Sequence, residues 1–294
     1  MNEINRNNIA LSEVQKNNFD KAYELLKENC REAKSYQAYN NLGVFYTEFG
    51  DTLKEEINVI KCAEDSLIQS NKIHENYFAL SELGNLYLNS GRISQAIEKY
   101  KKALLLKETY AVLHNLGTAE YFRGEYRQAA HYFKRAIEIE KRTQIETMEA
   151  YVCALVNSGE KKQAIQVLNT LCRISLYEWN PNTIHMAFLC SQYDFISLTY
   201  KKIMDDFLLD FNTYLIIGYV LLEKEGKIVY NNFYKQIINE INDNLTLNDT
   251  ERAALIKMLG SDCKKILGAI NKEFTPQLLF EYHYFGCNIH ENGY

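Results

Sequence analysis

The stretch that decides the fold is residues 79–106, ALSELGNLYLNSGRISQAIEKYKKALLL. Apolar residues recur at helical spacing on both sides of Ser90-Gly91, so it reads as helix, break, helix. Its small residues, Gly84, Ala96 and Ala103, recur at Gly117, Ala129 and Ala136 in the next stretch, each 33 positions on. Gly91 recurs likewise at Gly124. Self-similarity at this period marks a stacked array in which each helix pair buries its apolar face on its neighbours. Small residues let two helices approach, large ones fill the space between pairs, and glycine at a helix end accepts the left-handed conformation.

The period extends both ways. Upstream, NNLGVFYTEFGDTLKEEI places Gly43 and Gly50 in the roles of Gly84 and Gly91. Here Glu55 falls where a small residue is expected, and about seven extra residues are assigned to the region Ser70–Asn76. Downstream, AYVCALVNSGEKKQAIQVLNTL places Gly159 and Ala164, and near the start NNFDKAYELL places Phe19 and Ala22.

The set Leu83-Gly84, Tyr87, Gly91, Ala96, Tyr100 and Ala103, with its repeat Leu116-Gly117, Gly124, Tyr126, Ala129, Phe133 and Ala136, resembles the tetratricopeptide repeat. The family's usual proline at the unit end is missing throughout. The resemblance implies an all-α chain, a right-handed α-solenoid of stacked antiparallel helix pairs with a divergent helical C-terminal part. The expected organisation is five such pairs over 1–178, two divergent pairs over 179–245 and a helical cap over 246–294. Those pairs turn near Gln192–Asp194 and at Gly226. The cap offers Asp249 or Thr250 as one helix start and Thr275-Pro276 as another.

Bulk properties agree. Only two prolines occur in 294 residues, which permits an almost wholly helical chain. Net charge is −5, and no basic stripe exists to neutralise phosphates, so nucleic acid is excluded as the main partner. Seven cysteines, odd in number and never in a CxxC pair, read as reduced thiols of a cytoplasmic protein. The start MNEINRNNIALSE lacks a signal pattern, and no apolar run approaches the ~20 residues that span a bilayer, so no membrane role is expected.

No phosphate-binding glycine loop, nucleophile elbow or HExxH occurs, so the expectation is a non-enzyme without cofactor. His283, Cys287 and His290 fall on one helical face, as metal ligands could, but a fourth ligand is missing and no metal is assigned.

In the family the first helix of each pair lines the concave side. The resemblance therefore implies a partner-binding groove of Asn7, Gln37, Asn40, Thr47, Phe78, Ser81, Asn85, Leu88, His114, Thr118, Tyr121 and Glu149. Asparagine both donates and accepts, which suits a peptide main chain, and aromatic rings add apolar contact with few rotors to freeze. The carboxylate clamp of tetratricopeptide co-chaperones is not expected, because Ser81, His114 and Cys153 stand at its basic positions. The expected function is an adaptor or scaffold that binds a protein or peptide segment. The alternative is a regulatory receptor resembling Gram-positive quorum-sensing receptors, without their N-terminal effector domain because repeats begin near Asn5. The later tyrosines, Tyr214, Tyr219, Tyr230, Tyr234, Tyr282 and Tyr284, either pair two chains as a homodimer or fill the C-terminal core.

Overall fold

The computed structural model describes residues 1–54, 57–140, 144–175, 181–206, 210–243, 248–280 and 284–286. Among the described residues the chain is all-helical and free of strand. Glu55, Tyr282 and the His283, Cys287 and His290 set lie outside them. Two compact units form. The first is Met1–Thr143 with Gln277–Tyr294, and the second is Gln144–Pro276.

Unit 1 stacks four helix pairs: α1 (Glu3–Gln15) on α2 (Phe19–Glu32), α3 (Tyr36–Phe49) on α4 (Val59–Ile73), α5 (Tyr77–Asn89) on α6 (Ile93–Leu106), and α7 (Tyr110–Phe122) on α8 (Tyr126–Ile139). The first helices start on good caps. Asn2, Ser35, Asn76 and Thr109 each accept a hydrogen bond from a first-turn N–H. At the α5–α6 turn Gly91 has φ +72°, and Gly124 takes the same left-handed form between α7 and α8.

The small residues mark the closest helix approaches. A Cβ on Gly84 would lie 2.4 Å from the Tyr100 ring, and one on Gly117 would lie 2.8 Å from Phe133. Tyr100, Phe133, Ala96, Ala103, Ala129 and Ala136 are all fully buried. Gly84→Ala therefore costs about 1–2 kcal/mol net. Overpacking against an immobile ring outweighs the roughly 1 kcal/mol that alanine gains in helix propensity. Urea denaturation followed by helical circular dichroism measures it, and an unchanged or raised midpoint would count against that contact.

The second pair departs from expectation. Gly50 has φ −57° and continues into a short 3-10 turn, Gly50–Thr52, so it is not a left-handed turn residue. It serves instead as a contact point, since a Cβ there would meet Val59 at 2.4 Å. Helix α4 starts nine residues after Gly50, whereas α6 starts two after Gly91. The inserted residues thus lie between α3 and α4, not at Ser70–Asn76. The small residue of the second pair is Ala63, fully buried, and Gly43 packs on Leu67 four positions later as Gly84 packs on Tyr100.

Unit 2 contains α9 (Ile145–Asn157), α10 (Lys161–Ser175), α11 (Pro181–Leu189), α12 (Tyr193–Asp206), α13 (Phe211–Lys224), α14 (Lys227–Asp243), α15 (Asp249–Leu259) and α16 (Cys263–Ala269). Helices α9 to α14 pack in sequential pairs, and α13 also packs on α16. The cap of α15 is Asn248, one residue before the expected Asp249. Asn248 bonds the Glu251 N–H while the Glu251 carboxylate bonds the Asn248 N–H, a closed capping box. Of the tyrosines in this unit, Tyr214 and Tyr230 are buried, the half-buried Tyr219 packs edge-on to Phe188 and Tyr193, and the half-buried Tyr234 donates its hydroxyl to the Ile256 carbonyl.

No helix begins at Thr275-Pro276. Residues 271–280 are non-helical because partners elsewhere hold the main chain. The Asn212 side chain donates to the Asn271 carbonyl at 3.2 Å and accepts the Asn271 N–H at 2.7 Å.

Candidate functional site

In unit 1 the face of the first helices is covered by the chain's own residues 277–280 and 284–286, which run from α7 towards α3. Their main chain is held by side chains. Asn115 on α7 donates from Nδ2 to the Leu279 carbonyl and accepts the Leu279 N–H at Oδ1, both at 2.8 Å. Asn41 on α3 does the same for Phe285, donating at 3.0 Å and accepting at 2.7 Å. Leu279 lies in non-helical chain, and Phe285 stands in a turn with Gly286, whose φ is +76°. At both places the amide satisfies the N–H and the C=O of one residue, as a neighbouring strand does. Beside them His114 Nε2 lies 2.8 Å from the Gln277 carbonyl. A carbonyl only accepts, so His114 carries a proton on Nε2.

Behind these contacts lies a buried relay. Asn85 Oδ1 accepts from Asn115 Nδ2 at 2.9 Å and from the Tyr100 hydroxyl at 2.7 Å. Asn41, Asn85 and Asn115 are each at most 1% exposed, so their amides are held by packing and cannot be turned by water.

The side chains of the segment are anchored as well. Phe285, buried, stands edge-on to Tyr36 at 5.3 Å and to Phe78 at 5.0 Å between ring centroids. Tyr284, also buried, donates its hydroxyl to Glu48 at 2.9 Å. Burial raises the Glu48 carboxyl above its usual range, and the Tyr284 hydrogen bond opposes that shift. Leu278 packs on the core formed by α5, α6 and α7.

Among the residues expected to line the groove, Phe78 and His114 touch this segment and Asn85 acts through Asn115. The others sit differently. Asn7 is fully buried and accepts from Asn29, so it belongs to the α1–α2 contact. Asn40, Ser81, Leu88 and Thr118 are buried, Gln37 is half-buried, Thr47 donates to the Gly43 carbonyl, and Tyr121 packs edge-on to Tyr126. In unit 2, Glu149 accepts from Asn182 at 3.0 Å, while its Oε1 has no hydrogen-bond partner.

Asn41 and Asn115 are not among the expected groove residues, and the signal for them is the repeat. Both stand two residues before the packing glycine, Gly43 and Gly117, and Glu82 holds that place before Gly84. The expected positions were three before and one after. A displacement of one residue turns the side chain about 100° around the helix.

No group of three or more histidine, cysteine or acidic residues among the described residues is placed to hold a metal. Burial pushes the Cys153 thiol well above its usual value, as suits a packing residue rather than a nucleophile. No helix among the described residues is long and apolar enough to cross a membrane.

Residues 77–110 and 109–143 each match a tetratricopeptide repeat family. Among solved structures, a tetratricopeptide repeat protein from Parabacteroides merdae is 16% identical, with a TM-score of 0.59 over 88% of this chain and 99% of its own. Pseudomonas aeruginosa pilF is 19% identical, with a TM-score of 0.53 over 80% and 97%. PilW, a type IV pilus biogenesis factor, is 12% identical, with a TM-score of 0.53 over 86% and 98%. At these identities the likeness concerns the fold. No curated protein sequence matches the chain.

Proposed function

We propose that this chain, a tetratricopeptide repeat protein, is a non-catalytic protein–protein interaction module that holds an extended polypeptide segment against the first helices of its repeats. The observation that carries this reading is the pair of asparagines, Asn41 and Asn115, each bonding both the N–H and the C=O of one main-chain residue. Main-chain bonds are independent of side-chain identity. They supply affinity, and pockets for particular side chains add selection. A packed solenoid suits the task, because its stability comes from contacts between pairs and leaves the inner face free to vary.

Peptides selected on the 294-residue chain from a random display library test this directly. On binding they should slow amide hydrogen exchange in α3, α5 and α7 and leave α4, α6 and α8 unchanged. Protection confined to the second helices, or none at all from a bound peptide, would overturn the assignment of the face.

A further inference from the structure

We propose that residues 277–280 and 284–286 are a built-in occupant of this face, and that the partner is an extended segment with an adjacent Tyr-Phe pair which binds by displacing them. The inference rests on the interaction reading above and names the chemistry of the ligand and the control on its access.

The occupant itself displays the chemistry. Its main chain is taken by Asn41, Asn115 and His114, which bond only N–H and C=O groups and so make no demand on side-chain identity there. Two side chains at its far end are selected by shape and polarity. The Tyr284 hydroxyl reaches the half-buried Glu48 carboxyl, and the Phe285 ring lies between Tyr36 and Phe78. By contrast the Gln277 side chain is exposed, so the face asks little of that position. A ligand that matched the occupant would need tyrosine followed by phenylalanine, with an apolar residue at the place of Leu278.

The same geometry makes the occupant exchangeable. The described residues of the segment lie outside the helices and are fastened by side-chain contacts, so they can leave without unfolding a repeat. Local opening of such a segment needs far less free energy than global unfolding. Tethering gives the segment an effective concentration on the order of millimolar, and an external ligand binds only to the fraction of molecules that have released it. The built-in segment thus sets a threshold that weak, non-matching peptides do not pass.

The test uses a fluorescently labelled synthetic peptide spanning residues 277–286 and the 294-residue chain. Phe285→Ala weakens the chain's own segment while the peptide keeps its phenylalanine. Binding by anisotropy should be at least tenfold tighter to Phe285→Ala than to the unaltered chain. Adding Asn41→Ala to Phe285→Ala should reverse the gain by about tenfold, the scale of a buried main-chain hydrogen-bond pair. A peptide with alanine in place of the phenylalanine should bind at least tenfold more weakly. Equal binding to the unaltered and Phe285→Ala chains overturns the proposal, as does indifference to the peptide's phenylalanine. If Phe285→Ala loses its helical circular dichroism, Tyr284→Phe replaces it. That variant keeps the ring, removes the bond to Glu48, and should still bind the peptide several-fold more tightly than the unaltered chain. Equal binding there also overturns the proposal. A dimer that dissociates on tenfold dilution and is lost in the variant would show the segment exchanged between two chains, against occupancy within one. Library peptides that still protect α3, α5 and α7 while the 277–286 peptide fails would sink this inference and leave the interaction reading standing.

Discussion

Tyr100→Ala should lower stability by about 3–5 kcal/mol, the range for emptying a buried aromatic site. The Tyr100 side chain is fully buried, with its ring in van der Waals contact with the Cα side of Gly84. Glycine has no side chain to fall into the space, so the cavity stays open. The hydroxyl donates to Asn85 Oδ1, which keeps its second donor, Asn115, when the tyrosine is lost. Tyr100→Phe should therefore cost only about 1 kcal/mol, the net value of one hydrogen bond. Urea denaturation followed by helical circular dichroism separates the two variants, and a loss under 1 kcal/mol for Tyr100→Ala would contradict the packing described. In a repeat array the damage is passed to neighbours through shared interfaces. Exchange of the Leu279 amide should accelerate too, because Asn85 steadies the Asn115 side chain that holds it.

Glu149→Gln should stabilise unit 2 at alkaline pH and leave it unchanged in acid. Burial raises the Glu149 carboxyl from 4.5 to about 7; the Asn182 hydrogen bond opposes the shift and Glu146 adds to it. Between those values the folded chain retains a proton that the unfolded chain has released. Stability therefore falls as pH rises through that window, and the full penalty is present above it. The size is about 2–3 kcal/mol, from roughly 1.4 kcal/mol per unit with allowance for residual solvent. Glutamine keeps the acceptor for Asn182 and carries no charge. Thermal unfolding at pH 4 and pH 8 should show the variant equal to the unaltered chain at the lower pH and clearly more stable at the higher. A difference independent of pH would assign the effect to packing instead of ionisation.

The architecture was legible because it depends on local, periodic demands. Gly84, Ala96, Tyr100 and Ala103 sit where their spacing places them, and Gly91 makes the turn with a positive φ. The second pair misled because Gly50 imitates Gly91 in sequence, while the residues after it delay α4 and shift the small position to Ala63. A glycine can mark a turn or a close contact, and only the neighbouring helix distinguishes the two. The helices that meet residues 277–286 are the first helices of their pairs, and the side chains that grip this main chain stand one residue around the helix from the expected groove positions. The resemblance indicated His114 and Asn85, whereas the amides that grip main chain are Asn41 and Asn115.

An all-helical array, its repeat period, its close contacts and the lack of a recognisable catalytic motif are readable from the residues alone, because all of these follow from neighbours in the chain. What lies on the face of unit 1 follows instead from contacts between residues far apart in the chain. Residues 279 and 285 meet Asn115 and Asn41 across 164 and 244 positions. A proline after a threonine reads locally as a helix start. Long-range partners override that preference, because a buried main chain must find its hydrogen bonds wherever donors and acceptors are fixed in place.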